Sequence, residues 1–90
     1  MAQVDRGAIV GAVTDPSGAR VSDAQITIAN RETGQASHLT TDGEGNYNAN
    51  LLKIGTYSVS GTKQGFETTF QASVEVAVNQ SVRVDLVLKL

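Results

Sequence analysis

Residues with metal-binding chemistry are concentrated in one short run, Asp42-Gly43-Glu44-Gly45-Asn46. Carboxylate and amide oxygens at alternating positions are ligands that Ca²⁺ accepts. A calcium loop of the EF-hand type needs more ligands and a distal glutamate that binds through both oxygens, and this run supplies neither. Asp, Gly and Asn are also the residues that favour tight turns. We therefore interpret the run as a turn and predict no metal site and no cofactor.

The single histidine, His38, is the other residue that could do chemistry. A catalytic base needs a nucleophile within hydrogen-bond reach and an acid that orients it, whereas His38 lies in a short segment that reads as an exposed strand. The chain has no cysteine, which excludes disulfides and thiol catalysis. Its serines and threonines lack the context of a nucleophile elbow. We predict no catalytic residue and no enzyme activity.

Composition limits the chain to one small domain. Ninety residues with 40% apolar content can build a single modest core. A net charge of -2 with scattered charges gives no basic surface, so nucleic acid is excluded as a partner. No apolar run reaches the roughly 18 residues of a membrane span, so we expect no direct membrane insertion. Ala2-Gln3 is typical of what remains after a leader peptide is cleaved, and from it we expect an exported protein.

Apolar residues that alternate with polar ones predict strands throughout. The clearest is the last, where Val82, Val84, Leu86, Leu88 and Leu90 should share the core face. Before it, residues 74–78 alternate in the same way, and Asn79-Gln80 can form a tight turn, so the two segments predict a terminal hairpin. No segment has the spacing of an amphipathic helix, and we expect no helix beyond a single turn.

Turn residues divide the rest of the chain into further strands. Asp15-Pro16-Ser17-Gly18 should end a first strand whose inward face holds Ile9, Gly11 and Val13. The other predicted strands cover residues 25–30, 37–41, 46–50 and 56–63. Turns every 8–12 residues indicate an all-β, seven-stranded, antiparallel-rich β-sandwich over residues 7–90, preceded by a flexible segment at residues 1–6.

Three aromatic residues should complete the core. Tyr47 and Tyr57 are large enough to close it near an edge, and a buried tyrosine needs a partner for its hydroxyl. We predict that at least one of the two hydroxyls bonds a backbone carbonyl or remains in solvent. Phe66, which follows the break at Gly65, should hold its loop against the sandwich.

The same residues carry a resemblance to a known family. The matching elements are Gly7 to Asp15 with Ser17-Gly18-Ala19, Ala24 to Asn30 with Thr33-Gly34, Thr41-Asp42, Gly45, Tyr47, Leu52, Gly55, Tyr57 and Gly65-Phe66. This pattern, from Gly7 to Leu88, resembles the carboxypeptidase regulatory-like domain, a transthyretin-like (prealbumin-like) β-sandwich that is similar to Cna B-type repeats. The chain departs from it at Lys53-Ile54, where the family usually has a proline before the glycine of the turn.

Two activities found on related folds are not expected here. Transthyretin-like hydrolases rely on clusters of histidine and arginine and on a distinctive C-terminal tail, which this chain lacks. Cna B-type domains often form an amide bond between a lysine and an asparagine or aspartate of the first and last strands. The lysines here are Lys53, Lys63 and Lys89, and none faces inward on the first strand, so we expect no such bond.

With the turns Asp15-Pro16-Ser17-Gly18 and Asn30 to Thr33-Gly34, the chain most resembles the domain that follows the signal peptide of some TonB-dependent outer-membrane receptors. It implies a non-catalytic accessory module in the periplasm, associated with the outer membrane through its parent protein. Its partner would be a protein or a neighbouring domain. The uncharged strand from Ala8 to Thr14 is the edge expected to pair with the domain that follows, with a periplasmic protein or with a second copy of the chain. Two alternatives remain, a carbohydrate-binding module and a structural adhesin-type Cna B repeat without the amide bond.

Overall fold

A computed structural model describes residues 6–90 as eight strands, and no helix in this range could cross a membrane. The strands are β1 (Arg6–Thr14), β2 (Gln25–Asn30), β3 (Ala36–Thr40), β4 (Asn46–Lys53), β5 (Gly55–Thr62), β6 (Thr69–Val76), β7 (Ser81–Arg83) and β8 (Leu86–Val87). The all-β prediction is confirmed, with eight strands instead of seven. Residues 1–5 of the predicted flexible segment lie outside the described range, and Arg6 already belongs to β1.

The strands form two sheets that pack face to face. One, which we call the regular sheet, has the order β3-β2-β5-β6 and is antiparallel throughout. The other, the mixed sheet, has β1 between antiparallel β4 on one side and parallel β7 and β8 on the other. The predicted β-sandwich is therefore observed.

The core lies between the sheets because alternate residues of each strand point inward. Ile26 and Ile28 of β2, Val59 of β5 and Ile9 of β1 are at most 1% exposed. Burial of each such side chain stabilises the fold by about 2 kcal/mol relative to an exposed position. Phe66 packs against this core from its loop, as predicted.

The predicted terminal hairpin is wrong. Asn79 does adopt the positive φ of a turn, at 57°, but the turn carries the chain from the regular sheet to the mixed sheet. There β7 and β8 pair with β1 in parallel, and the chain between them is held by a bond from the Ala12 N–H to the Asp85 carboxylate. This side-chain bond interrupts the expected single strand. Leu86 and Leu88 are buried as predicted, but Leu90 is 84% exposed.

The segment from Ala8 to Thr14 is not an edge, contrary to the prediction. It pairs on both sides, with β4 and with β7 and β8, and this central position accounts for its lack of charge. Gly11 allows the crowding, because a Cβ there would overlap the Val84 carbonyl oxygen and lie 2.8 Å from the Tyr47 hydroxyl. The edges of the molecule must therefore be sought on other strands.

Candidate interaction surface

The Asp42 run forms a turn that uses its own polar atoms. One Asp42 oxygen, Oδ1, accepts the N–H groups of Glu44 and Asn46, each at 2.9 Å. Gly45 has φ 78°, where an added Cβ would lie 2.8 Å from the Val13 carbonyl oxygen. Between residues 6 and 90 no group of three acidic or histidine side chains could hold a metal ion. The turn explains the composition of this run.

His38 lies exposed on β3, as predicted. Its Nδ1 is 3.2 Å from the Thr27 hydroxyl on β2, and no acidic side chain bonds its ring in the described structure. The arrangement offers neither an activated nucleophile nor an oriented base.

The three lysines lie outside the core. Lys53 and Lys89 are exposed, and Lys63 donates to the Ser22 carbonyl at 2.6 Å. The buried polar residues that the structure describes are Asn30 and Thr41, and both serve the backbone. The Thr41 hydroxyl, for example, donates to the Val21 carbonyl and accepts from the Ala24 N–H, both at 2.9 Å.

Both tyrosine hydroxyls bond backbone carbonyls, so that prediction is confirmed. Tyr57 donates to Lys53 at 2.7 Å, and Tyr47 donates to Val84, between β7 and β8. Burial, with a smaller contribution from the negative charge of Asp85, raises the pKa of Tyr47 to about 12. The Tyr47 hydroxyl thus helps hold the C-terminal segment to the mixed sheet.

Of the five outer strands, β8 has only two residues, and β4, β6 and β7 also carry features that discourage pairing with another chain. In β4, the register shifts near Leu51, which has φ 57°, and the strand ends at the charged Lys53. β7 is three residues long and ends at Arg83. β6 contains a register shift, and its Thr69 hydroxyl donates to the Val87 carbonyl of β8 at 2.7 Å.

The remaining outer strand, β3, has no such feature. It pairs with β2 in unbroken register over all five residues and contains no proline, lysine, arginine or acidic residue. The Gln35 carbonyl accepts the Asn30 N–H at 2.8 Å, and the Thr41 N–H donates to the Ala24 carbonyl at 3.0 Å. The odd-numbered residues of this segment therefore direct their backbone groups towards β2. The backbone N–H and C=O groups of the alternate residues, Ala36, His38 and Thr40, point away from the sheet. This unpaired edge of β3 is our candidate docking edge.

A cleft of about 450 Å³ lies beside the docking edge. Leu39 and Thr40 of β3 line it together with Gly11 of β1 and with Tyr47 and Asn48 of β4. A strand added to β3 would extend over this opening between the two sheets, where an apolar side chain could contact Leu39.

A second feature lies on the outer face of the regular sheet. Phe70 of β6 is 63% exposed, whereas Tyr47, Tyr57 and Phe66 contribute to the core. The residues directly opposite on successive strands form one row across the sheet: Phe70, Ser60, Thr27 and His38. The sequence did not indicate that Phe70 is exposed, because residues four positions apart lie on the same face of a regular strand and Val74 is buried.

The sequence of the chain matches the family described as carboxypeptidase regulatory-like domain over residues 8–89. Among solved structures, the Bacillus anthracis TIE protein is similar with a TM-score of 0.80 and 18% identity, over 94% of this chain and 16% of that one. Chlorocatechol 1,2-dioxygenase from Pseudomonas putida is similar with a TM-score of 0.78 and 12% identity, over 99% of this chain and 62% of that one. The chain therefore spans only part of these two proteins.

A third similar structure has nearly the same length. It is a Pseudomonas aeruginosa protein described as a proposed carbohydrate-binding protein, with a TM-score of 0.63 and 20% identity. The similarity covers 96% of this chain and 90% of that one. At such identities these likenesses show a shared fold and carry no activity from one protein to another.

Proposed function

This chain belongs to the carboxypeptidase regulatory-like domain family, and from that premise we propose that it is a non-catalytic interaction module of an exported protein. In the finer form of the proposal, it is the periplasmic N-terminal domain of a TonB-dependent outer-membrane receptor. The two turns that resemble those receptors support this form. Asp15 to Gly18 and Asn30 to Gly34 each close with a backbone bond of 2.8–2.9 Å and a glycine at positive φ.

The observation that carries the proposal is the docking edge of β3. A regular, uncharged edge exposes N–H and C=O groups that can pair with an added strand. The other outer strands are shortened, bulged or charged, so the exposed edge is confined to one place. The partner we propose is an extended segment of a neighbouring domain or of another protein, with an apolar residue that contacts Leu39.

The path of the chain suits a module that is joined to a following domain. Arg6 opens β1 at one end of the sandwich, and the Leu88 N–H bonds the Thr14 carbonyl at the other end, at 2.8 Å. The nine residues of β1 separate these ends by about 26 Å, at about 3.3 Å per residue. Flanking segments would therefore leave from opposite ends and would leave the side of β3 accessible.

Amide hydrogen exchange tests the docking edge even while the partner is unidentified. In the isolated module, the amides of Ala36, His38 and Thr40 should exchange rapidly, because they have no acceptor on β2. Those of Ser37 and Leu39 are an internal control, since both bond β2 and should be protected. In the parent protein, the amides of Ala36, His38 and Thr40 should become protected as well. Rapid exchange of that set in the intact parent would contradict docking at β3.

The reading frame of the parent protein tests the receptor context separately. We expect a leader peptide before this segment, and after it a plug and a long series of alternating barrel strands. Tandem copies of the sandwich would favour a structural adhesin, and a downstream glycosidase would favour a sugar-binding module. Either of these results would contradict the receptor context and leave the docking edge to the exchange experiment.

A further inference from the structure

Phe70 owes its exposed position to a bulge in β6. Tyr57 lies opposite Val74, but Val59 lies opposite Gln71, so two steps along β5 correspond to three along β6. The extra residue reverses which face the following side chains occupy. Val74 therefore points into the core, and Phe70, four positions earlier, points out.

The bulge is held by a specific contact. The Arg31 guanidinium donates to the Ala72 carbonyl at 3.0 Å and to the Ser73 hydroxyl at 3.1 Å, at the site of the extra residue. Bulges of this kind commonly redirect a side chain next to a functional site. The exposure of Phe70 is thus a built feature of the sheet.

The outward side chains in the row of Phe70 and in the row beside it are rich in hydroxyl groups and include no lysine, arginine or acidic residue. Beside the row of Phe70, Ser60, Thr27 and His38, a second row is formed by Thr62, Gln25 and Thr40. The Thr68 hydroxyl extends this second row through a 3.2 Å bond to Thr62. Each row crosses up to four strands, about 14 Å at about 4.8 Å per strand. We call these two rows the polar face.

We propose that the polar face binds a neutral oligosaccharide. A sugar ring has an apolar face that can stack on the Phe70 ring, and its equatorial hydroxyls can exchange hydrogen bonds with Ser60, Thr27 and Thr62. The absence of lysine, arginine and acidic side chains from both rows matches a ligand without charge. This site goes beyond the docking edge, which uses the backbone of β3 and not this face.

Titration of the isotope-labelled chain with neutral oligosaccharides tests the proposal. The probes are maltohexaose, cellohexaose, xylohexaose and chitohexaose, and hexagalacturonate serves as the anionic comparison. With at least one neutral probe, amide signals of residues 60, 62 and 70 should shift in a saturable way. No shift with any neutral probe, or tighter binding of hexagalacturonate, would overturn the proposal.

Variants separate stacking from non-specific adhesion. Phe70→Ala should weaken binding by about tenfold, the effect expected for loss of one stacking contact, and Phe70→Trp should retain or tighten it. Leu51→Ala is the matched control, because Leu51 is 75% exposed on the mixed sheet, and it should leave the affinity unchanged. Equal affinities of Phe70→Ala and the unmodified chain, with unchanged amide spectra elsewhere, would show that Phe70 is not part of a site.

Discussion

The regular sheet and the mixed sheet are built in different ways. The regular sheet contains the β2-β3 and β5-β6 hairpins, and each of its strands pairs in antiparallel fashion. In the mixed sheet, β1 pairs in parallel with β7 and β8, more than sixty residues later in the chain. The local β2-β3 hairpin thus provides the docking edge, and the β2–β5 pairing joins the two hairpins into the polar face. In the mixed sheet, long-range pairings join the C-terminal segment to the N-terminal strand β1.

The difference predicts where substitutions should affect stability and where they should affect binding. The mixed sheet depends on close backbone contacts at Gly11 and on the Tyr47 hydroxyl. The proposed sites of the regular sheet, by contrast, consist of exposed groups whose replacement leaves the core intact. Substitutions at Gly11 and Tyr47 should therefore reduce stability, and substitutions at the exposed groups of the regular sheet should reduce binding.

The largest expected effect is that of Gly11→Ala. The new Cβ would meet the Val84 carbonyl carbon at 2.7 Å, a backbone atom that cannot move without displacing the segment between β7 and β8. We expect a loss of about 3 kcal/mol in the free energy of unfolding, measured in urea. Gly43→Ala is the control, because no atom lies within 4 Å of a Cβ there. Equal stabilities would contradict the close packing of the mixed sheet.

Thr41→Val should have the next largest effect. Valine has nearly the same shape but leaves the Ala24 N–H and the Val21 carbonyl, both now bonded by the Thr41 hydroxyl, without that partner. An unsatisfied buried polar group costs about 2 kcal/mol. The neighbouring Thr40→Val, on the exposed strand surface, should change stability little. Urea unfolding of the two variants compares them, and a stable Thr41→Val would show that the hydroxyl is dispensable.

Tyr47→Phe should cost about 1 kcal/mol, the net value of a typical hydrogen bond, and should also change the dependence on pH. Because the folded state raises the pKa of Tyr47 from about 10 to about 12, it holds the proton more tightly than the unfolded state does. That contribution to stability is complete below pH 10 and is lost as the pH rises through 12. Tyr57→Phe retains Tyr47, so its stability should still fall as the pH rises through 12, whereas that fall should be absent from Tyr47→Phe. If the stability of Tyr47→Phe fell in the same way, another group would be responsible for the pH dependence.

The smallest expected effect is that of calcium. Because Asp42 Oδ1 is occupied by two backbone N–H groups, millimolar calcium should leave the thermal midpoint unchanged. Asp42→Asn, which keeps an oxygen acceptor at this position, should melt close to the unmodified chain. A calcium-dependent rise in the midpoint that Asp42→Asn abolishes would reveal a metal site in this turn.

Strands with strict alternation were predictable from the sequence. The bounds of β2 agree with the prediction, and β3 and β5 each begin and end one residue earlier than predicted. The pairing of the final segment was not predictable in the same way, because alternation shows which face of a strand points inward but not which strand lies beside it. A side-chain bond from Asp85 also interrupts that segment.

The candidate sites were less accessible to sequence reasoning. The lack of charge in β1 indicated an exposed edge, but strands at the centre of a sheet also lack charge, and the unprotected edge is β3. In a regular strand, Phe70 would lie on the core face together with Val74. The one indication of the bulge that turns Phe70 outward is an interruption of the apolar pattern at Gln71-Ala72-Ser73.

The most direct test of docking at β3 is amide exchange in the parent protein with two variants at one position. His38→Pro removes an outward N–H and leaves the bonds of Ser37 and Leu39 to β2, whereas His38→Thr changes only the side chain. We predict that the amides of Ala36 and Thr40 are protected in the unmodified parent and in His38→Thr but exchange rapidly in His38→Pro. Protection that persists in His38→Pro, or that is absent from all three proteins, would contradict strand addition at this edge.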